Sequence, residues 1–370
     1  MRCGTSLSVL LLFLFGQYAL GETFRVTILT PRMLRLQYDA HGIEEHEPTD
    51  GLPAKWYEKG EFMYLETGAL TVRYQLDGEI RPEAQSADVL HISFPLGQHK
   101  VIWYPGKDDA LNLKGLLPEH RDSILADPRL DLLPGLVSRA GWSIVPLAPS
   151  TPTSFDWLFL AYGLDYEQAI RDFKATPFYQ KITLPLATLI NHPLHLPHLV
   201  ATASNVGASY YGLSWDDTLR TDPLSIRLRQ LSAFLPEAPC DLSDSLIVQR
   251  LDSLNDSRAL RRAFDLQRSL RPYKDSIQAL GFNLCRPLYY DFPTDNNAYI
   301  YEDEFLCGNR LLVAPVMQPA SEDGLSRRTV WLPEGLWMDV VNHRLQQGPT
   351  LIQVECSPLD IPYFWFQDKP

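Results

Sequence analysis

Between Leu284 and Val340 the chain alternates short apolar runs with turn-forming residues, a pattern that leaves it little to fold into except paired strands. Leu288–Tyr290 and Leu311–Val316 are apolar runs separated by a polar segment that holds Pro293, Asp295 and Asn296. A Gly-bearing loop then leads to a third run, Arg328–Leu332, closed by Pro333, Glu334 and Gly335. Short apolar runs bounded by Pro, Gly and Asn predict strands joined by turns.

The N-terminal part carries the other strand signal, strict alternation. Phe24, Val26 and Ile28 alternate with Arg25 and Thr27; after Pro31, Leu34, Leu36 and Tyr38 alternate with Arg35 and Gln37. Leu70, Val72, Tyr74 and Leu76 repeat the pattern up to an Asp77-Gly78 turn, and Leu90, Ile92 and Phe94 repeat it again. Period two predicts half-buried strands, and several of them at close spacing predict a β-sandwich.

Helical spacing appears twice. After a short strand and Gly163, Asp165 is placed to cap a helix whose Tyr166, Ala169, Ile170 and Phe173 share one face. Residues 257–280 form an Arg-rich amphipathic helix with Leu260, Phe264, Leu270 and Ile277 on its apolar side. Arg258, Arg261, Arg262, Arg268 and Arg271 make its solvated face, and Pro272 should kink or end a first segment.

Composition bounds the partners. A formal net charge of -12 argues against a nucleic-acid-binding body, because neutralising phosphates needs clustered Lys and Arg. Arg2, the apolar run Leu7–Phe15 and small residues at Ala19 and Gly21 have the layout of a secretory signal peptide over residues 1–21. The alternative is a helix or strand fused to the first domain. The run is too short for a membrane span, no other stretch is long enough, and no membrane partner is expected. Asn255-Asp256-Ser257 is an N-glycosylation sequon, meaningful in a eukaryotic secretory pathway. Cys240, Cys285, Cys307 and Cys356 are spaced too widely for a zinc site or a cysteine-rich scaffold, so at least two of them are expected as buried thiols.

His192, His195 and His198 recur at every third position, which invites a metal reading. Pro193 and Pro197 break the helix that would gather them, and no acidic ligand stands alongside, so no metal is expected. With no phosphate loop, dinucleotide fingerprint or Gly-x-Ser-x-Gly elbow, no cofactor is expected either.

The wording of these segments resembles one family, the family 31 glycoside hydrolases (α-glucosidases, α-xylosidases and relatives). The resemblance rests on Arg286-Pro287-Leu288, Asp291-Phe292-Pro293, Phe305, Gly308, Leu311–Val316, Arg328, Leu332-Pro333, Gly335, Trp337 and Asp339. In the family these join the last part of a catalytic barrel to a C-terminal β-domain. Trp103, Pro105-Gly106, Asp109, Asn112-Leu113, Gly115, Pro134-Gly135-Leu136, Ser138-Arg139 and Gly141-Trp142 resemble its N-terminal domain. The segment from Asp156 to Phe173 resembles the entry to the barrel, and Ala201–Gly207 a late barrel strand. Trp103 and Trp142 are open to two readings, stacking on a sugar or, as favoured here, core packing.

The resemblance also shows what is missing. Retaining glycosidases need two carboxyl groups, one as nucleophile and one as acid/base. The family's nucleophile lies in a Trp-x-Asp-Met-Asn-Glu strand, and no such motif occurs in the chain. An ungapped count back from Ala201 puts Pro185 at the acid/base position, and Ser214 falls where a pocket Asp is expected, although a small shift would restore Asp216. Asp216 and Asp217 are the weak catalytic candidates, but neighbours on a strand point to opposite faces. A (β/α)₈ barrel takes about 250 residues, yet about 100 separate Leu184 from Leu284.

The expected organisation is therefore multidomain β plus α/β. A signal peptide (residues 1–21) precedes an N-terminal β-sandwich (22–155), an incomplete (β/α)₈ TIM-barrel remnant (156–284) and the start of a C-terminal β-domain (285–370). The expected partner is a carbohydrate, an α-linked glucoside or xyloside, bound by a protein whose hydrolytic machinery is impaired. The alternatives are an active hydrolase of α-glycosides, which could complete its barrel from another chain, or a non-functional fragment of one.

Overall fold

The computed structural model describes residues 16–19, 23–43, 52, 54–76, 78–83, 87–115, 133–179, 227, 230–235, 254–280, 283–316 and 320–367. The described parts are mostly β-sheet with few helices. The chain divides into two compact units, residues 1–112 with 136–163, and residues 113–135 with 164–370.

In the first unit the alternating segments are the strands they were expected to be. β1 (Gly16–Ala19), β2 (Phe24–Thr30), β3 (Met33–Asp39), β9 (Ser143–Pro146) and β10 (Ser154–Leu160) form one antiparallel sheet in the order β1-β2-β3-β10-β9. A second sheet runs β4 (Lys55–Lys59), β5 (Phe62–Glu66), β6 (Thr71–Gln75), β7 (Leu90–Leu96), β8 (His99–Trp103) in sequence order, each strand antiparallel to the last. Phe24, Val26, Leu34, Leu36, Phe155 and Phe159 of the first sheet share one core with Leu65, Val72, Tyr74, Ile92 and Trp103 of the second. Two sheets closing over one apolar layer make a β-sandwich. On the first sheet Arg35 of β3 grips Asp156 of β10 with both ends of its fork, at 2.8 and 2.5 Å. Gly16–Ala19 pairs with Ala19 opposite Arg25 and Gly16 opposite Ile28, so cleavage after Gly21 would leave β2 as the sheet edge.

The second unit begins with α1 (Tyr166–Lys174), capped by Asp165, whose carboxylate accepts the Gln168 N–H. Its buried face is Tyr166, Ala169, Ile170 and Phe173, the set the spacing gave. α2 (Leu254–Ala279) runs through Pro272 as one 26-residue helix, so of the expected kink or end the end does not occur. Pro272 lies on the exposed face, so the carbonyl it leaves unbonded, four residues back at Arg268, faces water. Asn255 of the sequon falls in the first turn of this helix.

The sheet of this unit has the order β11-β12-β13-β16-β14-β15, with β11 (Cys285–Pro287), β12 (Phe305–Cys307), β13 (Leu311–Val313), β14 (Ser326–Asp339), β15 (Arg344–Cys356) and β16 (Tyr363–Gln367). Two expectations are corrected here. Leu288–Tyr290 is a buried 3₁₀ turn, and the strand is the three residues before it. Pro333-Glu334-Gly335 does not close the strand at Leu332. Leu332 pairs with Thr350 and Gly335 with Gly348, so β14 carries one extra residue in a β-bulge and continues to Asp339. Pro333, which has no N–H to give the ladder, sits in that bulge.

Candidate functional site

The residues that carry the family resemblance and are described in the structure are held in structural contacts. Asp109 accepts hydrogen bonds from the Ser138 hydroxyl at 2.7 Å and the Asn112 amide at 3.0 Å, tying two loops of the first unit together. Burial raises the Asp109 carboxyl above its ordinary range, and the Ser138 bond opposes that rise. Trp103 and Trp142 are 2% and 4% exposed, with ring centroids 6.3 Å apart. Trp103 also packs 5.0 Å from Phe159. They are core residues, and neither offers a face for a sugar to stack on.

In the second unit Arg286 of β11 is buried and serves two carboxylates. It donates to Glu167 of α1 at 3.0 Å and to Asp291, beyond the 3₁₀ turn, at 3.1 Å. Burial raises Asp291, and the Arg286 charge pulls it back down. Two carboxylates share one guanidinium, and Glu167 takes a second cation from Arg171 at 3.3 Å, which suits a clamp between α1 and β11 better than an acid and a base. Tyr166 and Tyr299 complete the clamp, their hydroxyls 2.9 Å apart.

Arg328 of β14 repeats the arrangement. It donates to Asp303 and Glu304, both at 3.0 Å. Glu304 is fully buried, and its Oε1 also accepts the Trp331 N–H at 3.1 Å. Its Oε2 has no hydrogen-bond partner among the described residues, and burial pushes its pKa up to about 8 against the pull of Arg328. Trp337 donates from its indole to the Pro333 carbonyl at 2.9 Å, and Asp339 accepts the backbone N–H groups of Val341 and Asn342 at the β14–β15 turn.

An open groove lies in the first unit between the β5–β6 and β7–β8 turns, lined by Glu66, Thr71, Ser93, Gln98, His99 and Lys100 among others. Glu66 is its one acidic lining residue, and its carboxylate is already taken up by the Tyr57 hydroxyl at 2.8 Å and the Lys55 ammonium at 3.6 Å. The groove can hydrogen-bond a polar ligand. It cannot supply the two carboxyl groups of a retaining glycosidase.

Asp216, Asp217, Ser214 and Pro185 lie outside the described residues, as do His192, His195, His198 and Cys240. Among the described residues no three His, Cys, Asp or Glu side chains gather as a metal site. Sequence reasoning missed the buried Glu304 and the buried Lys274 of α2. A charged residue beside an apolar run was the only available signal for either.

Comparison with known proteins fits this geometry. Residues 281–368 match the glycosyl hydrolase family 31 C-terminal domain. Alpha-glucosidase 2 of Bacillus thermoamyloliquefaciens is 32% identical over 84 residues, 23% of this chain and 10% of that protein. Lysosomal alpha-glucosidase of Rattus norvegicus is 30% identical over 141 residues, 36% of this chain and 14% of that protein. The solved cycloalternan-degrading enzyme of Trueperella pyogenes, in complex with isomaltose, is 19% identical with a TM-score of 0.41, covering 56% of this chain and 28% of that one. The matched stretches are thus a small part of each relative's length. The likeness to the glycosyl hydrolase family 31 C-terminal domain spans the sheet from β11 to β16.

Proposed function

We propose that the chain is a family 31 protein that binds α-linked glucosides or xylosides and does not hydrolyse them. The observation that carries this reading is internal to the sequence. Family-like segments end at Phe173 and resume at Ala201, and neither the nucleophile motif nor a carboxyl at the Pro185 position stands between or around them. On this reading residues 156–284 are the remnant of a (β/α)₈ barrel whose larger part has been lost. Losing both carboxyls removes covalent catalysis and leaving-group protonation together. The relatives' names support the ligand class, since the two curated relatives described above are named α-glucosidases. The layout of residues 1–21 supports export as the setting.

A second reading rests on Asp216, which a small alignment shift places at the family's pocket loop, and on its neighbour Asp217. Either could serve an active hydrolase. Calorimetric titration of the purified chain with isomaltose and with an α-xyloside tests the binding reading. Saturable heat supports it, and no heat at millimolar sugar rejects it.

A further inference from the structure

Cys285 of β11 and Cys307 of β12 stand directly opposite each other in an antiparallel pair. The neighbouring pair, Leu284 and Gly308, is bridged by a backbone hydrogen bond from Gly308 N–H to the Leu284 carbonyl. Bonded and non-bonded positions alternate along such a ladder, so the two cysteines occupy a non-bonded position, where opposed side chains come closest. The usual Cα spacing there, about 4.5 Å, falls within the range a disulfide spans, about 4.4–6.8 Å. Both sulfurs point to one atom: Cys285 Sγ is 3.5 Å and Cys307 Sγ 3.4 Å from the Phe234 carbonyl oxygen. Both residues are buried, and the buried Lys274 ammonium donates to the flanking carbonyls of Ala233 and Leu235. Three successive carbonyls at the end of the 230–235 turn are thus held by one ammonium and two thiols.

We propose that Cys285 and Cys307 are a dithiol placed to close into a cross-strand disulfide by exchange with a small disulfide such as oxidised glutathione. One cysteine thiolate attacks the small disulfide and expels one thiolate. The other cysteine then attacks the mixed disulfide and expels the second. Two protein thiols are oxidised, one small disulfide is reduced to two thiols, and the two protons leave with them. Burial raises both thiols, Cys307 to about 12, so exchange is slow in the closed fold and proceeds during folding or local opening. Closure staples β11 to β12 and removes both S–H donors from the Phe234 carbonyl. The redox state therefore sets whether the Phe234 carbonyl keeps its two thiol contacts to the sheet, while Lys274 and the Phe234–Tyr363 ring contact hold the turn in either state.

The test compares the full chain equilibrated in oxidised and in reduced glutathione, denatured in an alkylating reagent and digested with trypsin. Because Arg286 precedes Pro287, residues 275–310 remain one peptide holding both cysteines. The expected oxidised peptide is lighter by two hydrogens than the reduced one and takes up two alkyl groups only after reduction. Alkylation of both residues without reduction, or a link to Cys240 or Cys356, would overturn the proposal. In a Cys285→Ser chain, Cys307 should be alkylated in reduced glutathione and carry either an alkyl group or one glutathione in the oxidised buffer; its link to another protein cysteine there would also overturn the proposal. Faster amide exchange at 230–235 in the oxidised chain is the expected sign of the lost carbonyl contacts, and unchanged exchange would remove that coupling.

Discussion

Glu304 and Arg328 meet at 3.0 Å, with the Glu304 side chain wholly removed from solvent, yet the guanidinium does not keep the carboxylate charged. Removing a carboxylate from water disfavours its ionised form, and here that effect exceeds the attraction of Arg328. The folded pKa is about 8 against an ordinary 4.5. Between those values the folded chain holds a proton that the unfolded chain has released. This contribution to stability is therefore full below about pH 4.5 and falls as pH rises towards 8, by at most about 1.4 kcal/mol per pH unit. Glu304→Gln keeps the acceptor for Trp331 and Arg328 and has no proton to lose. Urea titrations from pH 5 to pH 8 should show a shallower fall in stability for the glutamine variant than for the parent. Parallel curves would contradict the assignment.

Gly308 and Tyr273 are fitted to each other. Gly308 has φ +67°, and an added Cβ would lie 2.4 Å from the Tyr273 hydroxyl oxygen. That hydroxyl donates to the Cys307 carbonyl at 3.0 Å and accepts the N–H groups of Asn309 and Arg310 at 3.2 and 3.1 Å. Gly308→Ala should cost about 1–3 kcal/mol through the left-handed backbone and the crowding together. Tyr273→Phe, which removes the hydroxyl from the Cys307 carbonyl and from two N–H groups nearer to solvent, should cost less, about 0.5–1.5 kcal/mol. Thermal unfolding of both variants measures this, and a parent-like midpoint for Gly308→Ala would contradict it.

Arg286→Ala removes the cation shared by Glu167 and Asp291 and leaves two carboxylates facing each other. Because both acids are partly exposed, we expect a loss of about 2–3 kcal/mol, below the range for a fully buried pair. Arg286→Lys should recover only part of it, since an ammonium cannot reach both partners with a planar fork. Denaturant melts of the two variants check the order. Full recovery by lysine would mean that charge alone matters at this position.

How far the sequence could be read followed from how each element is buried. β2, β3, β6 and β7 were legible because their core-facing apolar residues alternate with other types. Every residue of β11, β12 and β13 is buried, so no alternation marks their ends, and Leu288–Tyr290 reads as a strand although it turns. Pro272 and Pro333 misled for one reason. A missing N–H breaks an element only where its loss goes uncompensated, and one lies on a solvated helix face while the other sits in a bulge. The buried thiols were expected and Cys285, Cys307 and Cys356 are such, but the opposition of two of them and the burial of Glu304 and Lys274 could not be read, because these depend on contacts between distant segments. For the candidate site, the resemblance singled out Asp109, Arg286, Arg328 and Asp339, to each of which the structure gives a structural partner, while the catalytic candidates Asp216 and Asp217 lie outside the described residues.

Export predicts a processed N-terminus. Cleavage after Gly21 removes Gly16–Ala19 from the edge of β2 and gives a mature chain beginning at Glu22. N-terminal sequencing of the product from a eukaryotic secretory host reads this directly. Intact Met1 on a chain retained in the cell would contradict it.

The central claim is binding without turnover, and the release of nitrophenol from aryl α-glucoside and α-xyloside tests it most directly. The purified chain should be assayed beside Asp216→Asn and Asp217→Asn variants prepared in the same way. The account predicts no release above the protein-free rate for any of the three. Equal release by all three would indicate a contaminating glycosidase and be settled by repurification. Turnover by the parent that disappears in either variant would contradict the account and make that aspartate a catalytic carboxylate.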